Sequence, residues 1–214
     1  MTRIIFAACC VAAVLGLGGC KVIKTRPADE TAIPADASGD EARTAQRIEA
    51  TFDRELIPYI TDRALEIADL RTALAGDFKA AGATHGTQGA DKTAPWNFPV
   101  KGTGKIVAAK LDTRARTASL DTTGDGKADV TVQLGPVIKG SALRDVAPFY
   151  NFDDFRDQIE FAKLSRALND KVSGAVTLPE GDLVGMTLSF AGVVPLKSAT
   201  ETILVTPITV EVTP

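Results

Sequence analysis

The chain has few of the side chains that enzymes and metal centres most often use. Its 214 residues include one histidine, three cysteines and one tryptophan, and aromatic residues make up 6%. It contains no G-x-S-x-G nucleophile elbow, no phosphate-binding loop motif and no H-E-x-x-H zinc motif. The single histidine, His85, has no cysteine or acidic partner at ligand spacing, so we expect a solvated loop residue rather than a general base.

A basic tract is also missing. The chain has 24 Lys and Arg against 27 Asp and Glu, which gives a net charge of −3. Removal of an N-terminal segment containing Arg3 would leave 23 basic residues, and 23 − 27 = −4. This mildly acidic balance is typical of an ordinary globular domain, and no nucleic-acid partner is expected.

The N-terminus has the layout of a secretory signal peptide. Arg3 supplies a positive charge, and residues 4–17 form an uncharged apolar run, shorter than the about 20 residues of a bilayer-spanning helix. The run ends in Leu17, Gly18, Gly19 and Cys20. These four residues resemble a bacterial lipobox, which implies cleavage before the cysteine and diacylglycerol on its thiol. We therefore expect 1–19 to be a lipoprotein signal peptide and Cys20 to be lipidated. An ordinary signal peptide cut near Gly19 is the alternative.

Lipidation at Cys20 would make the membrane a partner of the mature chain, on its periplasmic side. Cys9 and Cys10 would be discarded, so the mature chain would have no disulfide and would depend on its hydrophobic core. Lys21 follows Cys20, where an aspartate would favour retention in the inner membrane, so the outer membrane is mildly favoured.

The rest of the chain divides by composition into a helical part and a β part. Residues 20–37 carry two prolines and no periodicity, which indicates a flexible tether. An apolar helical period over 38–82 predicts a small helical subdomain, and 83–95 is a Gly-rich polar loop. Short alternating strands begin at Trp96, so 96–214 is expected to be β-rich.

The helical part has recognisable start and stop signals. Ser38 and Glu41 fit a capping box, and Pro58 suits the first turn of a second helix that ends at Gly76. In the β part, one helix is predicted over about 152–172. Its apolar stripe is expected to be Phe152, Phe155, Ile159 and Ala162.

Several short strands around one packed helix predict the fold class. We expect an α+β protein in which a small N-terminal helical subdomain precedes a barrel of the oligonucleotide/oligosaccharide-binding (OB) type. The stretches 183–196 and 201–212 should form a pair of neighbouring strands.

The segment "DTTGDGKADV" (121–130) resembles half of a calcium loop. Its candidate ligands are Asp121, Asp125 and Asp129. Position 12 of such a loop should be a bidentate Glu, but the chain has Val132 there. Gly124 and Gly126 can take the positive φ of a tight hairpin, and aspartates bond local amides. We therefore favour a structural hairpin over a metal site, and expect no cofactor, with calcium binding as the testable alternative.

Two further sets of residues could carry function. Asp153, Asp157 and Glu160 would share a helix face and could act as an acid/base set, although a solvated helix face is the more frequent arrangement. The densest aromatics could line a ligand groove or simply pack in the core. They are Trp96, Phe98, Phe149, Tyr150 and Phe152.

Several stretches together are similar to a family of bacterial periplasmic lipoproteins known as a domain of unknown function. They are "PWNF" (95–98), "GDGKADV" (124–130), "QLGPVIKGSALRD" (133–145), "QIEFA" (158–162) and "RALND" (166–170). The resemblance implies a helical subdomain followed by an OB-like subdomain, and an association with sugar-type ABC importers. It implies no catalytic residues.

The expected function is that of a lipid-anchored, non-enzymatic accessory or binding protein of the envelope, auxiliary to a sugar-type ABC import system. A direct binder of carbohydrate or of a cell-wall fragment, in a groove of the β part, is the first alternative. A hydrolase that uses the acidic helix is the second.

Overall fold

A computed structural model describes residues 32–89, 91 and 93–214 of the chain. The predicted signal peptide (1–19, with Leu17, Gly18 and Gly19), Cys20 and most of the predicted tether lie outside the described residues. The helices are α1 (Asp40–Thr51), α2 (Ile57–Arg63), α3 (Ile67–Gly76), α4 (Phe78–His85), α5 (Ala142–Asp145) and α6 (Gln158–Ala175). The strands are β1 (Leu65–Glu66), β2 (Trp96–Lys110), β3 (Ala115–Asp121), β4 (Val130–Pro136), β5 (Thr187–Leu196) and β6 (Ile203–Thr213).

Five of the strands close into a barrel. The sheet order is β1-β2-β3-β4-β6-β5, and β5 also pairs with β2. Strand β2 closes the barrel because its first two thirds pair with β5 and its last third pairs with β3. The change of partner occurs at Gly104 and Lys105, and a Cβ on Gly104 would lie 2.8 Å from the Asp121 carbonyl oxygen. With α6 between β4 and β5, this is the topology of an OB fold, and the predicted α+β class is confirmed.

Two hydrophobic cores lie on the two sides of the barrel wall. The barrel core fills the interior with fully buried side chains such as Phe98, Leu120 and Leu188, and α3 and α4 contribute to it. The helical core joins α1, α2, α5 and α6, and it packs on Val193 and Ile208 of the outer wall. The helical segment predicted over 38–82 is therefore divided, because its first two helices and its last two enter different cores.

The N-terminal helices differ from prediction at their ends. The capping box is wrong, because Ser38 lies in a 3-10 turn capped by Asp36, and α1 begins at Asp40 without a side-chain cap. Pro58 lies in the first turn of α2, as predicted, and a π-helical turn joins α1 to α2. The second predicted helix breaks at Ala64, where ψ is 117°, before α3 starts at Ile67.

The prediction for the long helix was wrong at its start. Phe152–Asp154 forms a separate 3-10 turn, and α6 begins at Gln158, capped by Asp157. Because the helix begins six residues later, its buried face is made by Leu164, Leu168 and Val172, and Ile159 is 65% exposed. The apolar stripe expected from Phe152 to Ala162 therefore does not exist as one helix face.

Candidate functional site

Four neighbouring strands present a polar band on the outer wall of the barrel. One cross-strand row runs from Glu66 through Lys101 and Ala191 to Thr209. The adjacent row runs through Thr103, Ser189 and Glu211. Residues two apart on a strand face the same side, so all seven side chains point outward from the barrel. We name this surface the four-strand groove.

The groove is shallow and lined by hydrogen-bonding groups. Its cavity volume is about 610 Å³. The Thr103 and Ser189 hydroxyl oxygens lie 2.9 Å apart, and Lys101 Nζ lies 3.6 Å from Glu66 Oε1. Ala191, at the centre of the groove, has only a short side chain. Val193, two residues further along the same strand, is buried in the helical core. The groove therefore stops where the helices begin.

These groups suit a polar ligand. Hydroxyls donate and accept hydrogen bonds, the two carboxylates accept, and the ammonium of Lys101 donates. Phe190 is the one aromatic among the residues that line the groove, and it is buried as part of the barrel core. A ligand would therefore be held by hydrogen bonds and charge, without stacking on a ring.

The structure does not bring the predicted aromatic surface together. Trp96 and Phe98 belong to the barrel core, whereas Phe149 and Tyr150 belong to the helical core. Phe98 is fully buried, and the Tyr150 hydroxyl lies 2.6 Å from Thr51 Oγ1. The Trp96 indole lies against α4, where a Cβ on Gly82 would approach it to 2.5 Å. These four rings serve packing, and only Phe152 of the aromatic set is exposed, at 47%.

The three acidic residues near the start of α6 have separate surroundings. Asp153 is exposed, and Asp157 accepts hydrogen bonds from the amides of Ile159 and Glu160, both at 2.9 Å. Glu160 is buried, and its carboxylate accepts from Arg43 Nε at 2.7 Å. The structure therefore does not assemble these three carboxyl groups as an acid/base set that faces a common substrate.

Glu160 belongs to a charged cluster that joins α1 to α6. Its centre is the completely buried carboxylate of Asp40, which contacts Arg43 at 2.7 Å, Arg156 at 3.0 Å and Lys163 at 2.9 Å. We name these five residues the Asp40 cluster. Asp40 has three cationic partners and Glu160 has one, so the cluster connects the two helices electrostatically.

The cluster keeps its two acids ionised. The hydrogen bond from the Lys163 ammonium, and after it those from Arg156, hold the pKa of Asp40 below its usual value despite burial. The hydrogen bond from Arg43 lowers the pKa of Glu160 in the same way. A general acid needs a raised pKa, so neither carboxyl suits that role.

The segment 121–130 closes the β3–β4 hairpin. The Asp121 carboxylate accepts hydrogen bonds from the amides of Thr123, Gly124 and Gly126 at 3.0, 2.6 and 2.8 Å. The bond from Gly126 contributes most to lowering the pKa of Asp121. Both glycines have positive φ, +85° and +81°, as predicted.

The other two candidate calcium ligands are also engaged. Asp125 accepts from the amide of Lys127 at 2.9 Å, and Asp129 forms an ion pair with Arg71 at 3.1 Å. Within the described part of the chain, no three His, Cys, Asp or Glu side chains are placed to hold a metal ion. The aspartates of this loop therefore act as hydrogen-bond acceptors for the turn.

His85 is the last residue of α4 and is exposed, so it lies on a helix end rather than in the predicted loop.

The four-strand groove was missed by sequence reasoning. Alternation of polar and buried residues marks Lys101 and Thr103 as one face of a strand, but only the strand register places Ser189 and Glu211 beside them.

None of the helices in the described ranges combines the length and the apolarity needed to cross a membrane.

A search among curated proteins gave no significant match. Among solved structures, the chain is similar to a crystal structure of an OB-fold protein from Thermotoga maritima MSB8, with a TM-score of 0.56 and 14% identity. The alignment covers 81% of this chain and 98% of that one, and it supports the fold.

The model of one protein family matches residues 10–211, which is nearly the whole chain. Its description is "Predicted periplasmic lipoprotein (DUF2291)". The match agrees with the resemblance seen in the sequence and supports a location in the cell envelope. The chain belongs to this family of predicted periplasmic lipoproteins.

Proposed function

We propose that this protein is a lipid-anchored binding protein of the envelope that holds a polar, hydroxyl-bearing ligand in the four-strand groove. Carbohydrate or a cell-wall fragment is the ligand class that fits best. The observation that carries the proposal is the groove itself, with its hydroxyl pair from Thr103 and Ser189 between the charged groups of Lys101 and Glu211.

The proposed anchor is a lipid on Cys20. The quartet from Leu17 to Cys20 supports this site, because it follows an apolar run and ends in a cysteine preceded by small residues. The family description supports a lipoprotein in general. Mass spectrometry of the mature chain should show a lipid-modified N-terminal Cys20, and Cys20→Ser should abolish the modification. An unmodified N-terminus near residue 20 would contradict the anchor.

We propose a binding role rather than hydrolysis. The support is that Asp157 caps α6 and that Glu160 is buried against Arg43 with a lowered pKa. The amide variants D153N, D157N and E160Q, made separately, test this. Loss of a hydrolytic activity in E160Q, with folding intact, would favour the enzyme alternative.

A thermal-shift screen with soluble sugars and cell-wall fragments tests the groove. A ligand at 100 times its dissociation constant should stabilise the protein by about 2.7 kcal/mol. The double variant T103V/S189A should lose this shift. It removes both hydroxyls, while an apolar side chain still occupies each of the two paired positions. T117V/S119A is the matched control, since these half-buried residues lie on β3, away from the groove. An equal loss of the shift in the control would refute the assignment.

The expected link to a sugar-type ABC importer and the mild preference for the outer membrane remain proposals that rest on the resemblance and on Lys21. Affinity capture of the lipidated protein from native membranes, with the groove variant in parallel, tests the link. Recovery of an importer component that requires Thr103 and Ser189 would identify the groove as a docking surface for protein instead of a ligand site.

A further inference from the structure

The charges of the four-strand groove do not balance. Its lining residues include two carboxylates, those of Glu66 and Glu211, and one ammonium, that of Lys101. Lys101 Nζ lies 3.6 Å from Glu66 Oε1, so the single cation already has an acidic partner. Within the described part of the chain, the carboxylate of Glu211 takes part in no hydrogen bond and no ion pair. The groove therefore contains one carboxylate whose charge is not compensated.

This carboxylate is aligned with the hydroxyl pair. Thr103 pairs with Ser189 across β2 and β5, and Ser189 pairs with Glu211 across β5 and β6. Neighbouring strands lie about 4.8 Å apart, so the three residues form a row that spans about 10 Å. The two hydroxyl oxygens lie 2.9 Å apart at one end of the row, and Glu211 is at the other end. A ligand that binds both hydroxyls and extends along the row therefore meets the carboxylate.

The surroundings of Glu211 leave it open to a ligand. Its neighbours in β6, Val210 and Val212, pack against the barrel core, whereas Glu211 is exposed. Because side chains alternate along a strand, the Glu211 side chain points away from the barrel interior. The adjacent row contains Ala191 paired with Thr209, and both side chains are small. No bulky side chain therefore separates Glu211 from the centre of the groove.

We infer that Glu211 selects a ligand with a free amine, so that the groove prefers a sugar with an unacetylated amino group to a neutral or an acidic sugar. An ammonium donates charge-assisted hydrogen bonds to a carboxylate, while hydroxyls of the same ligand can bond Thr103 and Ser189. An acidic sugar would bring a like charge to Glu211, and Lys101 is already engaged by Glu66. This inference rests on the proposed function of the groove.

The size of the preference follows from the exposure of Glu211. Ion pairs at an exposed position contribute little free energy and are screened by salt. We therefore expect a free amine to tighten binding about two- to fivefold relative to its acetylated analogue. The preference should shrink as the salt concentration is raised, because screening weakens the ion pair but leaves the contacts of the neutral hydroxyls.

Calorimetric titration of the full mature chain with soluble oligosaccharides of equal length tests the selectivity. The probes are a deacetylated glucosamine oligomer, its N-acetylated form and a galacturonic acid oligomer, in mildly acidic buffer where the amine carries its proton. The wild-type protein should bind the amine-bearing oligomer most tightly and the acidic oligomer most weakly.

Charge variants identify the residue responsible. E211Q should bind the amine-bearing and the acetylated oligomers equally, because the amide keeps the shape of the side chain but removes its charge. E180Q is the matched control, since Glu180 is an exposed carboxylate outside the groove and the net charge changes by the same amount. K101Q releases Glu66 from its cationic partner and should strengthen the preference for the amine.

The outcomes separate this inference from the proposed function. Equal binding of the amine-bearing and acetylated oligomers by the wild-type protein, or a preference that survives in E211Q, would overturn the selectivity and leave sugar binding intact. Tightest binding of the galacturonic acid oligomer would also overturn it and would make Lys101 the dominant charge. Loss of the preference in E180Q as well would assign it to the net charge of the protein instead of Glu211. Binding of none of the oligomers would refute the proposed function, and this inference with it.

Discussion

Asp121 and Asp40 are both buried carboxylates, and the protein satisfies them in opposite ways. Asp121 is held by backbone amides two to five residues along the chain, within one hairpin loop. Asp40 is held by Arg43 nearby and by Arg156 and Lys163, which are more than 100 residues away. The first arrangement forms with the turn itself. The second exists only when α1 and α6 are packed together, so it depends on the tertiary structure.

The largest expected effect comes from removing the charge at the centre of the Asp40 cluster. D40N removes the buried negative charge that Arg156 and Lys163 face, and uncompensated charge at a helix contact is strongly destabilising. We expect the melting temperature to fall by on the order of 10 °C. D53N is the matched control, because Asp53 is 72% exposed and lies 4.0 Å from Lys171, so its ion pair should contribute almost nothing. Equal melting temperatures for the two variants would show that the cluster does not hold the helices.

The same cluster should control stability in acid. The pKa of Asp40 is lowered from 3.8 and that of Glu160 from 4.5, by hydrogen bonds from Lys163 and Arg43 respectively. Because the folded pKa values lie below the unfolded ones, the unfolded chain takes up protons first as the pH falls. The stability that these two carboxylates contribute is fully present at a pH above their pKa values in the unfolded chain. It is lost as the pH falls through their lower pKa values in the folded protein.

Melting curves between neutral pH and about pH 3 test this linkage, which predicts a steep loss only in the acid range. D40N should show a shallower loss there, because one of the lowered carboxyls is gone. A wild-type melting temperature that rises on acidification would contradict the predicted loss of stability in acid.

The third effect concerns the loop. D121N exchanges a carboxylate that accepts from three amides for a neutral side chain, and should lower the melting temperature by about 5 °C, less than D40N. The loss is smaller because the β3–β4 ladder remains and water can reach most of the loop. A loss as large as that of D40N would mean that the loop, not the helix contact, limits stability.

These two sites also show what the sequence could and could not predict. The hairpin, with positive φ at Gly124 and Gly126, was predicted because the turn chemistry is contained in adjacent residues. The strand pair and the OB class were predicted because short strands with alternating polar and apolar residues, together with one long helix, are compatible with few topologies. The role of Asp40 was not predicted, because its partners are distant in the chain, and the capping-box pattern at Ser38 and Glu41 wrongly drew the helix start away from it.

Of the two roles left open for the candidate aromatic residues, a ligand groove or core packing, the structure shows packing. Composition identified Trp96, Phe98, Phe149 and Tyr150 as one cluster, but the barrel wall separates them into two cores. The groove residues are ordinary Lys, Thr, Ser and Glu, which carry no motif. They become a site only through the register of four strands, and register is not readable from single segments.

A smaller effect tests the backbone of the loop. The backbone at Gly126 has a φ of +81°, which a residue with a Cβ adopts only at a cost. G126A should therefore lower the free energy of unfolding by about 1 kcal/mol. G174A is the matched control, because Gly174 lies in α6 with no atom near the added Cβ, and it should raise stability by about 0.5 kcal/mol. Urea unfolding of both variants measures the difference. Stabilisation by G126A would show that the loop tolerates another conformation.

The smallest expected effect is that of calcium on the loop. Asp121 uses both carboxylate oxygens for backbone amides, and Val132 occupies the position where a calcium loop needs a bidentate Glu. A site with a dissociation constant of about 10 μM would add about 2.7 kcal/mol at 100-fold excess of free ion. We expect no shift in melting temperature and no heat in calorimetric titration at millimolar calcium, with D121N as the control. A rise that a chelator reverses and that D121N abolishes would mean that the turn exchanges its amides for a metal ion.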